Sequence, residues 1–447
     1  MKKNIIVVGA GINGLMLATL LAKTGHAVKI LESTNQIGGQ FLGIRSKGMR
    51  YDHGLYIPQL TGHKNVDEIY LKQDVVTRSL HFKDIAGNIF KEILNTNSLF
   101  LDLRNHKEIN SKIFCEITKN IVNQYKGNSL NNYFKSRFGE TAYKNFFHDL
   151  IQNTLFTNQK DFDKAILKVF HLSRLVLFDE KISENLKSFS FFDSMIGFPN
   201  QMKIPNHFLS DKTPSVYPKS YGLYNLIDGI KEDLDKLNVE IILGIKIKKI
   251  KFGKNSHIIF ENKQEYKLQF DDLLWCGNTY AIDKLLGINL SIAKKLEMPI
   301  KQSVSFIQTS EKPKVKNIYW LWDYDKNPIM RLSFPHNYTK LPFKNKYLIV
   351  AEHSFNTNCD YIRKYLYDRK IIPNGSYLQI DNPNNSVRYY YNFSKVNVRL
   401  DREFLKLFEH IKPKNFHLCS TKVSKGVFYL HDLLADSVSE LQKNGVL

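Results

Sequence analysis

The segment IIVVGAGINGLMLATLLAKTGHAVKILESTNQIGGQ, residues 5–40, decides the fold. A basic start, a long apolar run and small residues near Ala27 form the pattern of an export signal, yet the same run can open a nucleotide-binding domain. The run is broken at Gly9, Gly11, Asn13 and Gly14, which weakens a signal helix because glycine costs backbone entropy there. A second apolar strand, AVKILE, follows, and a discarded leader has no use for it. Taken as strand, tight turn, helix and strand, the segment obeys G-x-G-x-x-G. Gly9 permits the turn, Gly11 lets the backbone approach a pyrophosphate, and Gly14 lets the helix pack closely on the strand. The helix then offers free N–H groups and the positive end of its dipole to phosphates. Glu32 ends the second strand, 18 positions after Gly14, where a carboxylate accepts hydrogen bonds from ribose hydroxyls. The motif alone is weak; its strand-turn-helix-strand-acid context selects dinucleotide binding.

The 447 residues suffice for two or three domains, or for one large core with an inserted one. A hydrophobic content of 43% with 13% aromatics describes a globular chain. No uninterrupted apolar run long enough to span a membrane follows the first strand-helix unit, so no transmembrane segment is expected. A net charge of +21 can favour phosphates, acidic sugars or an anionic surface, but Lys, Asn, Ile, Phe and Tyr are abundant together, and a general compositional drift is the stronger reading. No block of five or six consecutive basic residues occurs, and GIKIKKIKFGK (244–254) alternates Lys with Ile as a strand with one solvated face does. Nucleic acid is therefore not expected as a partner. Cys115, Cys276, Cys359 and Cys419 are far apart and form no C-x-x-C pair, which predicts a reduced, cytoplasmic chain. The histidines show no ligand spacing, so no metal is expected.

Helical periodicity in NSKIFCEITKNIVNQY, SLNNYFKSRFGETAYKNFFHDLIQNTL and KAILKVFHLSRLVLF predicts a mainly helical insertion over 62–215, its aromatic residues forming core. Strand and helix then alternate in YGLYNLIDGIKEDLDKLNVEIILG and DLLWCG, as in a doubly wound layer. SVSFIQT, NIYWLW, IMRLSF, YLIVAEHSF and SVRYYYNF predict an antiparallel sheet over 293–404. The last piece returns to strand, turn and helix. The expected fold class is α/β: a discontinuous Rossmann-like domain over 1–61, 216–292 and 405–447, the helical insertion, and a substrate domain built on the antiparallel sheet.

The doublet Gly38-Gly39 in ESTNQIGGQ separates nicotinamide from flavin. The segment resembles the flavin amine oxidase and protoporphyrinogen oxidase superfamily and, within it, most resembles the UDP-galactopyranose mutase family. The resemblance implies FAD, held at Gly9, Gly11, Gly14, Glu32, Gly38, Gly39 and Gln40. YGLYNLIDGI with VEIILG is similar to the family's glycine-turn helix and following strand, which implies that the backbone of Val239 faces adenine. LLWCGNTYAID, with Gly277 closing its strand, resembles the mutase strand ending in Thr-Gly-Pro. STKVSKGVFYLHDL resembles the closing motif and puts Lys422 among the cofactor contacts, although Ser420-Thr421-Lys422 stands where the mutases have Gly-Gly-Arg. DKNPIMRLSF, IVAEHSF and VRYYYNF resemble strands of the mutase substrate sheet and implicate Arg331 and Tyr390 at a nucleotide-sugar diphosphate. ILKVFHLSR puts Arg174 near a substrate-contacting mutase arginine. Two departures stand out: Tyr56 replaces the first mutase histidine beside the flavin, and Gln40 follows the doublet where the superfamily usually has arginine.

These likenesses imply an FAD-dependent enzyme acting on a nucleotide-activated sugar in surface-glycan synthesis. Its flavin would exchange a hydride at N5 or, once reduced, attack an anomeric carbon in a redox-neutral mutase reaction. The alternatives are an amine or protoporphyrinogen oxidase-like enzyme on an apolar substrate, and a flavin-free binding protein that keeps the fold. Each proposed substrate arginine also has a plain reading as a structural ion pair, and Cys419 is read as a buried strand residue rather than a flavin attachment point. No general base is identified, and a homo-oligomer is left open.

Overall fold

The computed structural model describes residues 2–71, 86–120, 125–158, 162–208, 214–262, 264–286, 295, 300–315, 318–383 and 386–447. The chain forms two compact units, one from Met1–Ser79, Thr213–Glu297 and Arg399–Leu447, the other from Leu80–Lys212 and Met298–Val398. The boundary expected at 292–293 lies outside the described residues.

In the first unit, β1 (Asn4–Val8) is followed by α1 (Ile12–Lys23) and β2 (Ala27–Leu31). β1 has a parallel neighbour on each side, Val8 standing opposite Leu31 of β2 and opposite Trp275 of strand Asp272–Trp275. A strand covered on both faces is apolar throughout, and Ile5, Ile6, Val7 and Val8 are all buried. Strand Glu240–Ile242 flanks β2 and strand Phe416–Leu418 flanks Asp272–Trp275, completing a five-stranded parallel sheet. α1 is buried from Ile12 to Leu21. Its two buried polar side chains are satisfied by backbone: Thr19 Oγ1 donates to Leu15 O at 2.8 Å and Asn13 Nδ2 to Cys419 O at 2.7 Å. An antiparallel meander, Lys246–Lys251, His257–Asn262 and Gln264–Gln269, packs Ile250, Ile258 and Phe260 into the core of this unit and leaves its lysines in solvent.

In the second unit an eight-stranded, mostly antiparallel sheet runs in the order Leu378–Asp381, Ile300–Thr309, Tyr347–Ser354, Ile329–Ser333, Trp320–Asp323, Ala86–Phe90 and Ile93–Asn95. Strand Val387–Tyr390 also pairs with Ile300–Thr309. Leu321, Leu332, Ile349 and Ile307 pack against Ile362 and Leu366 of helix Cys359–Asp368. The helical part is held by aromatic packing: Phe134 and Phe147 stack at 4.1 Å, with Phe138 beside them. The stretch expected to be mainly helical also supplies strands Ala86–Phe90 and Ile93–Asn95, the first parallel to Trp320–Asp323. In AGNIF only Ile89 and Phe90 favour a strand, while Ala86, Gly87 and Asn88 do not, so the neighbours decide. Asn88 Nδ2 donates to Ser98 O at 3.0 Å and to Phe100 O at 3.1 Å, and a Cβ on Gly87 would lie 2.5 Å from Asn95 O.

Candidate dinucleotide-binding site

The carboxyl ends of β1, β2 and Asp272–Trp275 converge on a cradle made almost wholly of backbone. Gly9 N donates to Leu31 O at 2.8 Å, and Gly38 N donates to Ala10 O at 2.7 Å, which draws the doublet against the first turn. Gly11 and Gly38 form a parallel bridge. A Cβ on Gly14 would sit 2.0 Å from Gly9 O, so the close packing of α1 on β1 requires glycine there. Gly38 has a φ of 105° and packs against Ile227, while a Cβ on Gly39 would meet Gly11 Cα at 3.2 Å. Gly277 lies beside Gly9, whose Cβ would meet its nitrogen at 3.3 Å. The structure thus brings together Gly9, Gly11, Gly14, Gly38, Gly39 and Gly277.

Two features test whether this cradle fits a dinucleotide. Gly11 caps α1 with no side-chain hydrogen bond to the first helical turn, which leaves N–H groups there for a ligand. A Cβ on Gly11 would meet nothing within 4 Å, so what glycine keeps clear at this point is room outside the protein's own packing. Both suit a pyrophosphate at a helix N-terminus. Glu32 is fixed at the end of β2, accepting from Ala10 N at 2.7 Å and Thr34 N at 2.8 Å. Gln40 follows the doublet and its Oε1 accepts a hydrogen bond from the Tyr56 hydroxyl.

Two expected cofactor contacts are placed elsewhere. Val239 precedes strand Glu240–Ile242, whose first residue pairs with Lys29 midway along β2 and whose last pairs with Leu31, so Val239 stands at the end of that strand away from Glu32. Ligands of open α/β sheets lie at the carboxyl ends of strands, and the residue brought to Glu32 is Ile245, whose N–H donates to Glu32 O at 3.1 Å. Lys422 is buried with its ammonium on Asp436 at 2.5 Å and Glu440 at 3.3 Å, both in helix Leu430–Lys443. Burial opposes its charge, but the two carboxylates win and raise its pKa.

Sequence reasoning missed two supports of the cradle. Asn13 ties the first turn of α1 to the last strand through Cys419 O; its position inside the glycine motif was the available signal. Asp52 is buried, accepts from the Tyr217 hydroxyl and from Leu223 N at 2.8 Å, and so fixes the start of helix Tyr224–Lys236. Burial pushes its carboxyl up to about 6, against the lowering effect of those two hydrogen bonds.

In the second unit, Arg331 is buried and makes a bidentate ion pair with Glu352, with Nη2 at 2.6 Å from Oε1 and 2.7 Å from Oε2. Its guanidinium lies 4.8 Å from the Trp322 ring. His171 in the same unit is held down to about 4, by burial first and by Arg331 second. Tyr390 ends strand Val387–Tyr390 in register with Ile300. Arg174 Nε donates to Asp193 O at 2.7 Å. Among the described residues, no group of three or more His, Cys, Asp or Glu could hold a metal, and no helix is long and apolar enough to cross a membrane.

Fold and cradle define a Rossmann-like dinucleotide-binding protein of the flavoenzyme fold, and residues 7–71 match the NAD(P)-binding Rossmann-like domain family. Across the whole chain the structure resembles that of reduced UDP-galactopyranose mutase, with a TM-score of 0.72 at 14% identity, covering 100% of this chain and 95% of that one. A putrescine oxidase variant superposes with a TM-score of 0.59 at 11% identity, covering 100% and 99% of the two chains. Among curated proteins, the 1-hydroxycarotenoid 3,4-desaturase of Flavobacterium sp. (strain P99-3) is 26% identical over 277 residues, 57% of this chain and 52% of the relative. The chain spans about half or less of the length of the curated relatives it matches. These are reductases, desaturases, oxidases and a mutase, so the expected superfamily likeness, the α/β fold class and the expectation of an enzyme with FAD agree with what the chain resembles.

Proposed function

We propose that this protein is a cytoplasmic FAD-dependent enzyme whose substrate is a nucleotide-activated sugar of surface-glycan synthesis. The observation that carries the flavin part is the uncapped N-terminus of α1 facing the bridged glycines, with Glu32 held at the end of β2. The sugar part is supported by whole-chain likeness to a UDP-galactopyranose mutase, at a TM-score of 0.72 against 0.59 for the putrescine oxidase. When bound, FAD supplies hydride exchange or nucleophilic chemistry at N5. The chain would position it: the first turn of α1 and Gly11 would hold the pyrophosphate, and Glu32 would accept from a ribose hydroxyl. Gln40 has its amide oxygen engaged by the Tyr56 hydroxyl, so what its side chain would offer a ligand is its N–H donors.

A second reading, oxidation or desaturation of an uncharged apolar substrate, is favoured by one observation. Glu352 neutralises Arg331 through both of its carboxylate oxygens, and the guanidinium lies 4.8 Å from the ring of Trp322, which packs with Phe170 and Tyr324. The purified protein's visible spectrum, recorded before and after dithionite and then with a panel of nucleotide sugars, tests both. A flavin band perturbed by a nucleotide sugar supports the first reading. A flavin band indifferent to every nucleotide, with peroxide released on an apolar substrate, selects the second. Colourless protein that takes up no FAD overturns both.

A further inference from the structure

Two of the four cysteines meet in the parallel sheet of the first unit. Strands Asp272–Trp275 and Phe416–Leu418 pair with Trp275 opposite Leu418, so the residues that follow them, Cys276 and Cys419, stand opposite each other. The Cys419 N–H donates to Trp275 O at 3.0 Å, which carries the register on to this pair. Trp275 and Leu418 share a core cluster on one face of the sheet. Side chains alternate between faces along a strand, so both thiols lie on the other face, toward α1, where a Cβ on Gly14 would lie 3.4 Å from Cys276 Cβ. The Cys276 S–H donates to Cys419 Sγ, and this bond, with burial after it, pushes the Cys276 thiol up. Cys419 is closed off by the protein, whereas Cys276 is half-buried and open to a small solute. Against burial, the Lys422 ammonium three residues on is held charged by Asp436 and Glu440 and, in smaller part, by Cys419. A cation beside a thiol assists its reaction with an oxidant. Neighbouring strands lie about 4.8 Å apart, within the span of about 4.4–6.8 Å that a disulfide bridges between Cα atoms.

We propose that Cys276 and Cys419 form a reversible dithiol–disulfide site, closed by a small hydroperoxide and reopened by an external dithiol. One sulfur attacks a peroxide oxygen, the O–O bond breaks, and hydroxide leaves behind a sulfenic acid. The other sulfur attacks the sulfenic sulfur, the S–S bond forms, and the sulfenic oxygen departs as hydroxide. The two thiol protons go to the two departing oxygens, so two thiols and one peroxide yield one disulfide and two waters. The sulfurs are oxidised and the peroxide is reduced. Thiol–disulfide exchange with the external dithiol returns both thiols, as expected of a disulfide that is transient in a reducing compartment. The closed form staples the last strand of the sheet to its neighbour, beneath the first turn of α1, whose Asn13 is anchored on Cys419 O. The inference stands on strand register and does not rest on the flavin reading. It holds if the protein proves colourless.

The test uses the folded full chain as purified, carrying Cys115→Ser and Cys359→Ser, two changes on helices of the second unit. Hydrogen peroxide is added and then removed with catalase. The protein is next denatured in iodoacetamide and its peptides are mapped by mass spectrometry without reduction. The expected result is the loss of both alkylatable thiols and a peptide pair joined through Cys276 and Cys419. Dithiothreitol added to the folded, oxidised protein should restore both thiols. Cys276→Ser and Cys419→Ser should each abolish the joined pair. Thiols that are alkylated after peroxide as fully as before it overturn the proposal, and so do separate sulfinic acids with no joined peptide. A joined pair that forms only between two copies of the chain, or only when peroxide meets the denatured protein, overturns it as well.

Discussion

Gly11 and Gly14 do different work, and single methyl groups separate them. At Gly14 a Cβ would lie 2.0 Å from Gly9 O, so Gly14→Ala must push α1 off β1. At Gly11 a Cβ meets no protein atom within 4 Å and φ is −67°, so Gly11→Ala is accepted by the fold but intrudes on the pyrophosphate. The expected result is a lower melting temperature and lost flavin uptake for Gly14→Ala. Gly11→Ala should melt like the parent yet bind FAD about tenfold or more weaker in a fluorescence titration. Equal FAD affinity in Gly11→Ala and the parent would remove Gly11 from the cofactor site. Asp52 makes a prediction in pH. Its folded pKa of about 6 lies above the ordinary 3.8, so between those values the folded chain holds more protons than the unfolded one. Stability from this group therefore falls as pH rises through that window and is level above it. Asp52→Asn keeps an acceptor for Leu223 N and removes the titration. The stability difference between parent and variant should shift by on the order of a few kcal/mol from pH 4 to pH 7 in urea denaturation. A pH-independent difference would contradict the raised pKa.

Among the elements, the pair of strands Ile329–Ser333 and Tyr347–Ser354 joins packing and charge through Arg331 and Glu352, which stand opposite each other in register. Removing one partner leaves a buried charge uncompensated: Arg331→Met should cost about 3–5 kcal/mol in equilibrium unfolding, while Arg331→Met with Glu352→Leu should be near neutral. The double variant also separates structure from recognition. If it folds and still binds the nucleotide as the parent does, Arg331 belongs to the sheet and not to the ligand. The same scale shows what the sequence made legible. β1, α1 and β2 were readable because a fully covered parallel strand is an unbroken apolar run, and glycines punctuate its turn. Ala86–Phe90 was not, because Ala86, Gly87 and Asn88 oppose a strand and only Ile89 and Phe90 favour one, so the segment takes its form from the neighbours it meets. Ile245 escaped notice beside Val239 for a related reason: which end of a strand faces the ligand depends on parallel register, set by the distant β2.

For the molecule as a whole, motifs told more about the cofactor than about the substrate. Backbone cradles leave a signature in glycine spacing, whereas side-chain sites depend on which partner claims each charge. Lys422 and Arg331 carry the positive charge the resemblance asked for, yet carboxylates on neighbouring elements hold both. Arg137 drew no attention, and only the fold reveals that backbone carbonyls, not acids, receive it. This division predicts where ligands will protect the chain in hydrogen exchange. FAD should slow exchange across Gly9–Leu15 and Gly38–Gly39 in the first unit. At a concentration of about a hundred times its Kd, it should stabilise the unit that binds it by about 2.7 kcal/mol. This pattern follows from where the unpaired donors lie: the N–H groups of the uncapped N-terminus of α1. If FAD leaves exchange at Gly9–Leu15 and Gly38–Gly39 unchanged, these glycines serve the packing of α1 on β1 and not a cofactor.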